Sequence, residues 1–127
     1  KNKYASSSLK NEDKIADIKQ KILDYIEKEK PFLNAKLNMV EFSKVLGINY
    51  KYISQVINEE FGKNFIIFIN ERRVEEAKKL LLDDKNKSLS VEEIAIQAGF
   101  QTPSTFYVNF KKYTSTTPSQ YRLRPSQ

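Results

Sequence analysis

Apolar residues recur along this chain with the period of a helix, and no segment sustains the two-residue alternation of a strand. The clearest stretch is Asn64–Leu82, NFIIFINERRVEEAKKLLL, which contains neither Gly nor Pro. Phe65, Ile66, Ile69, Ala77, Leu80 and Leu81, with the stem of Arg73, fall on one broad stripe. The pattern predicts a long central helix with Asn64 as its N-cap. Similar sequence flanks that helix on both sides. Met39–Ile48, MVEFSKVLGI, returns as Val91–Phe100, VEEIAIQAGF, at an offset of 52 residues (39 to 91). Tyr50–Phe61 returns as Pro103–Thr114 at an offset of 53 (50 to 103), setting Ile53 on Phe106, Ile57 on Phe110 and Gly62 on Ser115. A short helix, a turn glycine and a second helix with apolar residues four apart describe a helix-turn-helix. Two copies joined by one helix predict two reading heads on one chain.

Start and stop signals divide the remainder. Residues 1–11 are polar and read as a linker or arm. Residues 12–37 form an N-terminal helix and connector. The helix runs over Glu12–Glu29, with Ile15, Ile18, Ile22, Leu23 and Ile26 on one stripe and Pro31 ending it. That stripe is short for a coiled coil and is expected to pack on its own domain. Phe32, Leu33 and Leu37 of the connector are expected in the core. The first helix-turn-helix occupies 38–63, with Asn38 and Glu41 in capping-box positions, Gly47 closing the first helix and Asn49 capping Tyr50–Phe61. The linker helix takes 64–84. The second helix-turn-helix and a closing helix take 85–122, with capping boxes at Ser90–Glu93 and Thr117–Gln120 and an N-cap followed by proline at Thr102–Pro103. Residues 123–127 are a tail. The fold class is all-α, two helix-turn-helix subdomains joined by a long central helix, with an extra N-terminal helix.

Composition narrows the chemistry. The 127 residues contain neither Cys nor His, so disulfides, thiol chemistry, zinc sites and the common nucleophile–base pairs lack their side chains. No catalytic residue, metal site or cofactor is expected. The longest strictly apolar run, Phe65–Ile69, is far too short to span a bilayer, and the absence of Cys fits a cytoplasmic protein. The chain begins at Lys1 without an initiator Met, as expected of the C-terminal piece of something longer. Net charge is +6, and residues 85–127 carry six basic but only two acidic residues. A basic second repeat suits a polyanion, because neutralising phosphates releases counterions.

Two faces are candidates for that contact. On Tyr50–Phe61 the outward residues are Lys51, Tyr52, Ser54, Gln55 and Asn58, with Ile53, Val56 and Ile57 inward. Gln55 can bond an adenine edge in a major groove, and Lys51 a guanine or a phosphate. On the second helix Ser104, Thr105, Val108, Lys111 and Lys112 point outward. Val108 can meet a thymine methyl, Lys111 and Lys112 suit phosphates, and the helix start at Thr102–Ser104 offers backbone N–H groups. Arg72 and Arg73 are expected to pair with Glu75 or Glu76 along their own helix rather than to face phosphate. Phe65, Phe68, Phe106, Phe110 and Tyr121 are expected in the core. Two other classes compete with nucleic-acid binding. One is a helical protein-interaction module docking through Glu12–Glu29. The other is an enzyme, which would need paired carboxylates where the acidic residues instead take cap and surface positions.

The order Arg73-Val74-x-x-Ala77-x-x-Leu80-Leu81, Ile94-Ala95-x-x-Ala98-Gly99-Phe100, Phe106-x-x-x-Phe110-Lys111-Lys112 and Thr117-Pro118-Ser119-x-Tyr121-Arg122 resembles the C-terminal DNA-binding region of AraC/XylS-type transcription regulators. The likeness covers residues 38–122. Lys30-Pro31-Phe32-Leu33-Asn34 and the Asn70–Val74 phrase look like the branch found in sensor-fused regulators of Bacteroidetes-type bacteria. The resemblance implies recognition helices entering successive major-groove segments on one face of double-stranded promoter DNA. It also implies a sensing or dimerising part N-terminal to this piece, with RNA polymerase a candidate partner. It carries base contacts onto Lys51, Ser54 and Gln55, and onto Ser104, Thr105 and Val108. Val108 stands where the family often has Arg, and Ser115 where Gly is usual. The expectation is therefore that the first head supplies most sequence discrimination and the second mostly phosphate affinity.

Overall fold

The structure, a computed structural model, describes the backbone of residues 8–125 and the side chains of residues 12–125. Most of the predicted arm and the last two tail residues lie outside the described residues. Among the described residues the regular structure is entirely helical. Seven α-helices follow in order: α1 Ser8–Glu29, α2 Met39–Leu46, α3 Tyr50–Phe61, α4 Phe65–Leu82, α5 Val91–Gln97, α6 Pro103–Thr114 and α7 Pro118–Arg122. Short 3-10 turns occupy Pro31–Leu33 and Asp84–Asn86. Helix α1 begins at Ser8, before the expected Glu12, so residues 8–11 are helix and not arm.

The chain forms two compact units. The first comprises α1 through Pro31 and Asn38–Phe65, and the second comprises Phe32–Leu37 and everything from Ile66 onward. In the first unit α1 packs on both α2 and α3. Ile22, Ile26, Phe42, Ile53, Val56, Ile57 and Phe65 are buried there. Phe42 is the hub, its ring 5.2 Å from the rings of both Tyr25 and Phe65. Each such side chain contributes about 1.5–3 kcal/mol on leaving water. The C-terminal half of the α1 stripe, Ile22 and Ile26, is thus buried inside its own unit, while Ile15, Ile18 and Leu23 are half-buried.

The core of the second unit is Val74, Ala77, Leu81, Ile94, Ala95, Ala98, Phe100, Phe106, Phe110 and Tyr121. A run of ring contacts from Phe100 through Phe106 and Phe110 to Tyr121, at 5.2–5.4 Å, ties the turn after α5 to α6 and α7. Three details correct the sequence reading. Ile66 is 62% exposed, while Phe68 and Val74 are buried along α4. Of the three connector hydrophobes only Phe32 is buried, Leu33 being exposed and Leu37 half-buried. Arg73 turns its guanidinium largely to backbone carbonyls of the connector, as described below.

Candidate nucleic-acid interface

The caps fix where each recognition helix starts. Asn38 Oδ1 accepts the Glu41 N–H (2.9 Å) at α2, and Asn49 Oδ1 accepts the Lys51 N–H (2.8 Å) at α3. In the second unit Ser90 and Glu93 close a reciprocal capping box at α5, and Thr117 and Gln120 do so at α7. Thr102 caps α6, its Oγ1 accepting the Thr105 N–H (3.2 Å), with Pro103 at the first position. Gly47, with φ +66°, donates its N–H to Lys44 O and lets α2 turn into α3. Gly99, with φ +99°, serves the same purpose between α5 and α6.

On α3 the inward residues Ile53, Val56 and Ile57 are buried. Lys51, Tyr52, Gln55 and Asn58 are exposed and Ser54 is half-buried, so the five predicted residues share the opposite side of the helix. Asn58 is not a free reader, because its Nδ2 donates to Ser54 O (2.9 Å) and lies 3.4 Å from Ser54 Oγ. Its carbonyl oxygen is left to accept. The acidic end of the helix is tied to α1, Lys19 Nζ standing 3.6 Å from Glu60 Oε1 and 5.4 Å from the Phe61 ring centre.

On α6 Phe106 and Phe110 are buried, and Ser104, Thr105, Val108, Lys111 and Lys112 are exposed on the opposite side, with Val108 67% exposed at its centre. Thr102 is exposed at the helix start, and its hydroxyl lies 3.0 Å from that of Thr105. One backbone N–H of that helix start is therefore already used. Lys112 Nζ lies 5.8 Å from the Tyr113 ring centre. The Tyr107 hydroxyl donates to Glu92 Oε2 (3.4 Å), and burial first, then the Glu92 carboxylate, push that phenol up. Nothing in the sequence pattern signalled this bond between α5 and α6.

Arg72 and Arg73 are structural. The Arg72 guanidinium stacks on the Phe68 ring at 4.8 Å. Arg73 reaches across the chain, Nε donating to Phe32 O (2.7 Å), Nη2 to Asn34 O (3.0 Å) and Nη1 to Asn70 Oδ1 (3.0 Å). Glu75 pairs with Lys78 (3.1 Å). Among the described residues no cluster of Asp and Glu is placed to hold a metal ion, and no helix is long and apolar enough to cross a membrane.

Two capped helix pairs, each turning a polar helix face outward, define a helix-turn-helix protein. Residues 42–124 match the helix-turn-helix domain family, and the chain belongs to it. Its type is AraC. An uncharacterised HTH-type transcriptional regulator of Staphylococcus aureus (strain COL) is 32% identical over 94% of this chain, which spans only 15% of that relative's length. The C-terminal domain of AraT, a response regulator from Geobacillus stearothermophilus, is 31% identical with a TM-score of 0.70, covering 87% of each chain. The C-terminal domain of the two-component response regulator yesN from Fusobacterium nucleatum is 34% identical with a TM-score of 0.68, covering 82% of this chain and 96% of its own. This is an AraC-type helix-turn-helix domain, similar to domains of HTH-type transcriptional regulators and response regulators.

Proposed function

We propose that α3 and α6 are the two major-groove readers and that they divide the work. Lys51, Tyr52, Ser54, Gln55 and Asn58 form the face that discriminates bases. Thr102, Ser104, Thr105, Val108, Lys111 and Lys112 form a face that mainly grips the backbone. The observation that carries this reading is the contrast at matched positions of two equally exposed helices. The amide of Gln55 corresponds to the methyls of Val108, and Asn58-Glu59 corresponds to Lys111-Lys112. An amide can make paired bonds to adenine, whereas a valine offers only a methyl contact. Two lysines at the end of α6 suit phosphate, which acidic Glu59 does not. The domain works as the C-terminal output of a longer regulator, with a sensing or dimerising part ahead of it and RNA polymerase as a candidate partner. Support for that comes from the response-regulator C-terminal domains it resembles.

Selection from a randomised duplex pool at moderate salt tests the division. Enrichment of a single half-motif is expected, relaxed at one base position in Gln55→Ala. A two-part motif with halves ~10 bp apart would show that both helices read bases and would end the division. Binding without any enrichment would refute base reading by α3.

A further inference from the structure

The segment Phe32–Leu37 precedes the first head in sequence but belongs to the second unit in space. It leaves α1 and returns to α2, both of which lie in the first unit. Three bonds hold it or orient its holder. Arg73 grips the Phe32 and Asn34 carbonyls, and Asn70 fixes the remaining arm of the guanidinium. A planar fork with several donors is the side chain suited to such a grip, and lysine is no substitute. Beneath the strap lies Gly99. A Cβ there would sit 2.1 Å from Phe32 O and 2.9 Å from Leu33 Cα, so the strap occupies the space a side chain would need. Gly99 is the turn residue of the second helix-turn-helix. Its neighbour Phe100 is 1% exposed, donates its N–H to Ala95 O (3.0 Å) and packs on Phe106 of α6. The strap is therefore a wall of the turn that sets α6.

We propose that the strap is the positioning element of the second reading head, with Arg73 and Gly99 as the positioning residues that seat it. The second head is built from a piece of chain lying before the first head, so residues 66–127 alone lack one wall of their own turn. All three nitrogens of the Arg73 guanidinium group are engaged within the protein. Arg73 acts through the strap on the turn and through the turn on α6. The DNA consequence rests on the reading of Lys111 and Lys112 as phosphate contacts.

Arg73→Lys and the milder Asn70→Ala, made in the whole chain, test this in two ways. Amide exchange at Gly99 and Phe100 is expected to speed up about tenfold in Arg73→Lys, while amides of α3 keep their protection. Binding to a selected duplex is expected to lose affinity, with the slope of log affinity against log salt shallower by about 1–2 and base preference unchanged. Unchanged exchange at Gly99 and Phe100 would overturn the proposal whatever the DNA data show. A folded variant with faster exchange but an unchanged salt slope would overturn the link from strap to α6, provided Lys111→Ala with Lys112→Ala does flatten the slope. If that double variant leaves the slope unchanged, the phosphate role of α6 has failed, and the exchange data alone decide the strap. Should Arg73→Lys not fold, Asn70→Ala carries the same readings.

Discussion

Ser115 holds a backbone angle of φ +61°, where an L side chain crowds the following carbonyl at a cost of about 1–2 kcal/mol. Its N–H donates to Lys111 O (2.8 Å), just as Gly62, with φ +68°, donates to Asn58 O (3.1 Å) at the matching end of α3. The turn is therefore strained and not reshaped by the serine. Ser115→Gly relieves that strain but gives the unfolded chain more freedom, worth about 0.4–1 kcal/mol. The expected net is a stabilisation of about 0.5–1 kcal/mol in urea denaturation, and a loss of stability would show that the Ser115 side chain contributes something of its own. Glu93 supplies a second prediction at this scale. Its carboxylate lies below the ordinary glutamate range, chiefly because the Ser90 N–H donates to it (2.7 Å) and then through the Ser90 hydroxyl. The folded state therefore releases this proton at lower pH than the unfolded state does. The stabilisation is complete above the ordinary glutamate pKa of about 4.3 and fades as pH falls through the lower folded value. Wild type and Glu93→Gln should differ in thermal midpoint near neutrality and converge towards pH 3, and a constant difference would reject the linkage.

Helix α1 shows how an element's role follows from its buried stripe. Ile22 is fully buried against the first unit, so Ile22→Ala should cost about 2–5 kcal/mol. The half-exposed Lys19–Glu60 pair contributes about 0–1 kcal/mol, so Lys19→Ala should cost much less than Ile22→Ala. Denaturation of the two variants checks the order, and the reverse order would mean that α1 is held by charge and not by packing. The helices themselves were legible because caps, proline and glycine punctuate them. Asn38, Asn49, Ser90, Thr102 and Thr117 all cap where the pattern set them. The outward faces of α3 and α6 were legible for the same reason, since a buried residue every three or four positions leaves the other side open. What escaped were contacts made across long stretches of chain. The reach of Arg73 to Phe32, 41 residues away, has no periodic signature. A periodicity argument pairs a charged helix residue with its nearest opposite charge and cannot see a carbonyl on a strap. Ile66 lies off the buried surface because α4 changes its buried face along its length, so one stripe cannot describe it.

At the scale of the molecule the charge is unevenly spread, and this makes the division between heads measurable. The excess of basic over acidic residues lies largely in 85–127, where Lys111 and Lys112 stand exposed on α6. Each phosphate contact removed should flatten the slope of log affinity against log salt by about 0.9, because fewer counterions are released on binding. Lys111→Ala with Lys112→Ala should therefore weaken binding to every duplex alike and lower the slope by about 1–2. Gln55→Ala should leave the slope in place and relax preference at one base position, at a cost of about 1–3 kcal/mol against the preferred site. Titration of both variants on preferred and scrambled duplexes at two or more salt concentrations separates the two effects. If Gln55→Ala flattens the slope while the lysine variant relaxes specificity, the roles of the heads are exchanged. In that case the exposed methyls of Val108, and not the amide of Gln55, are where this domain reads its site.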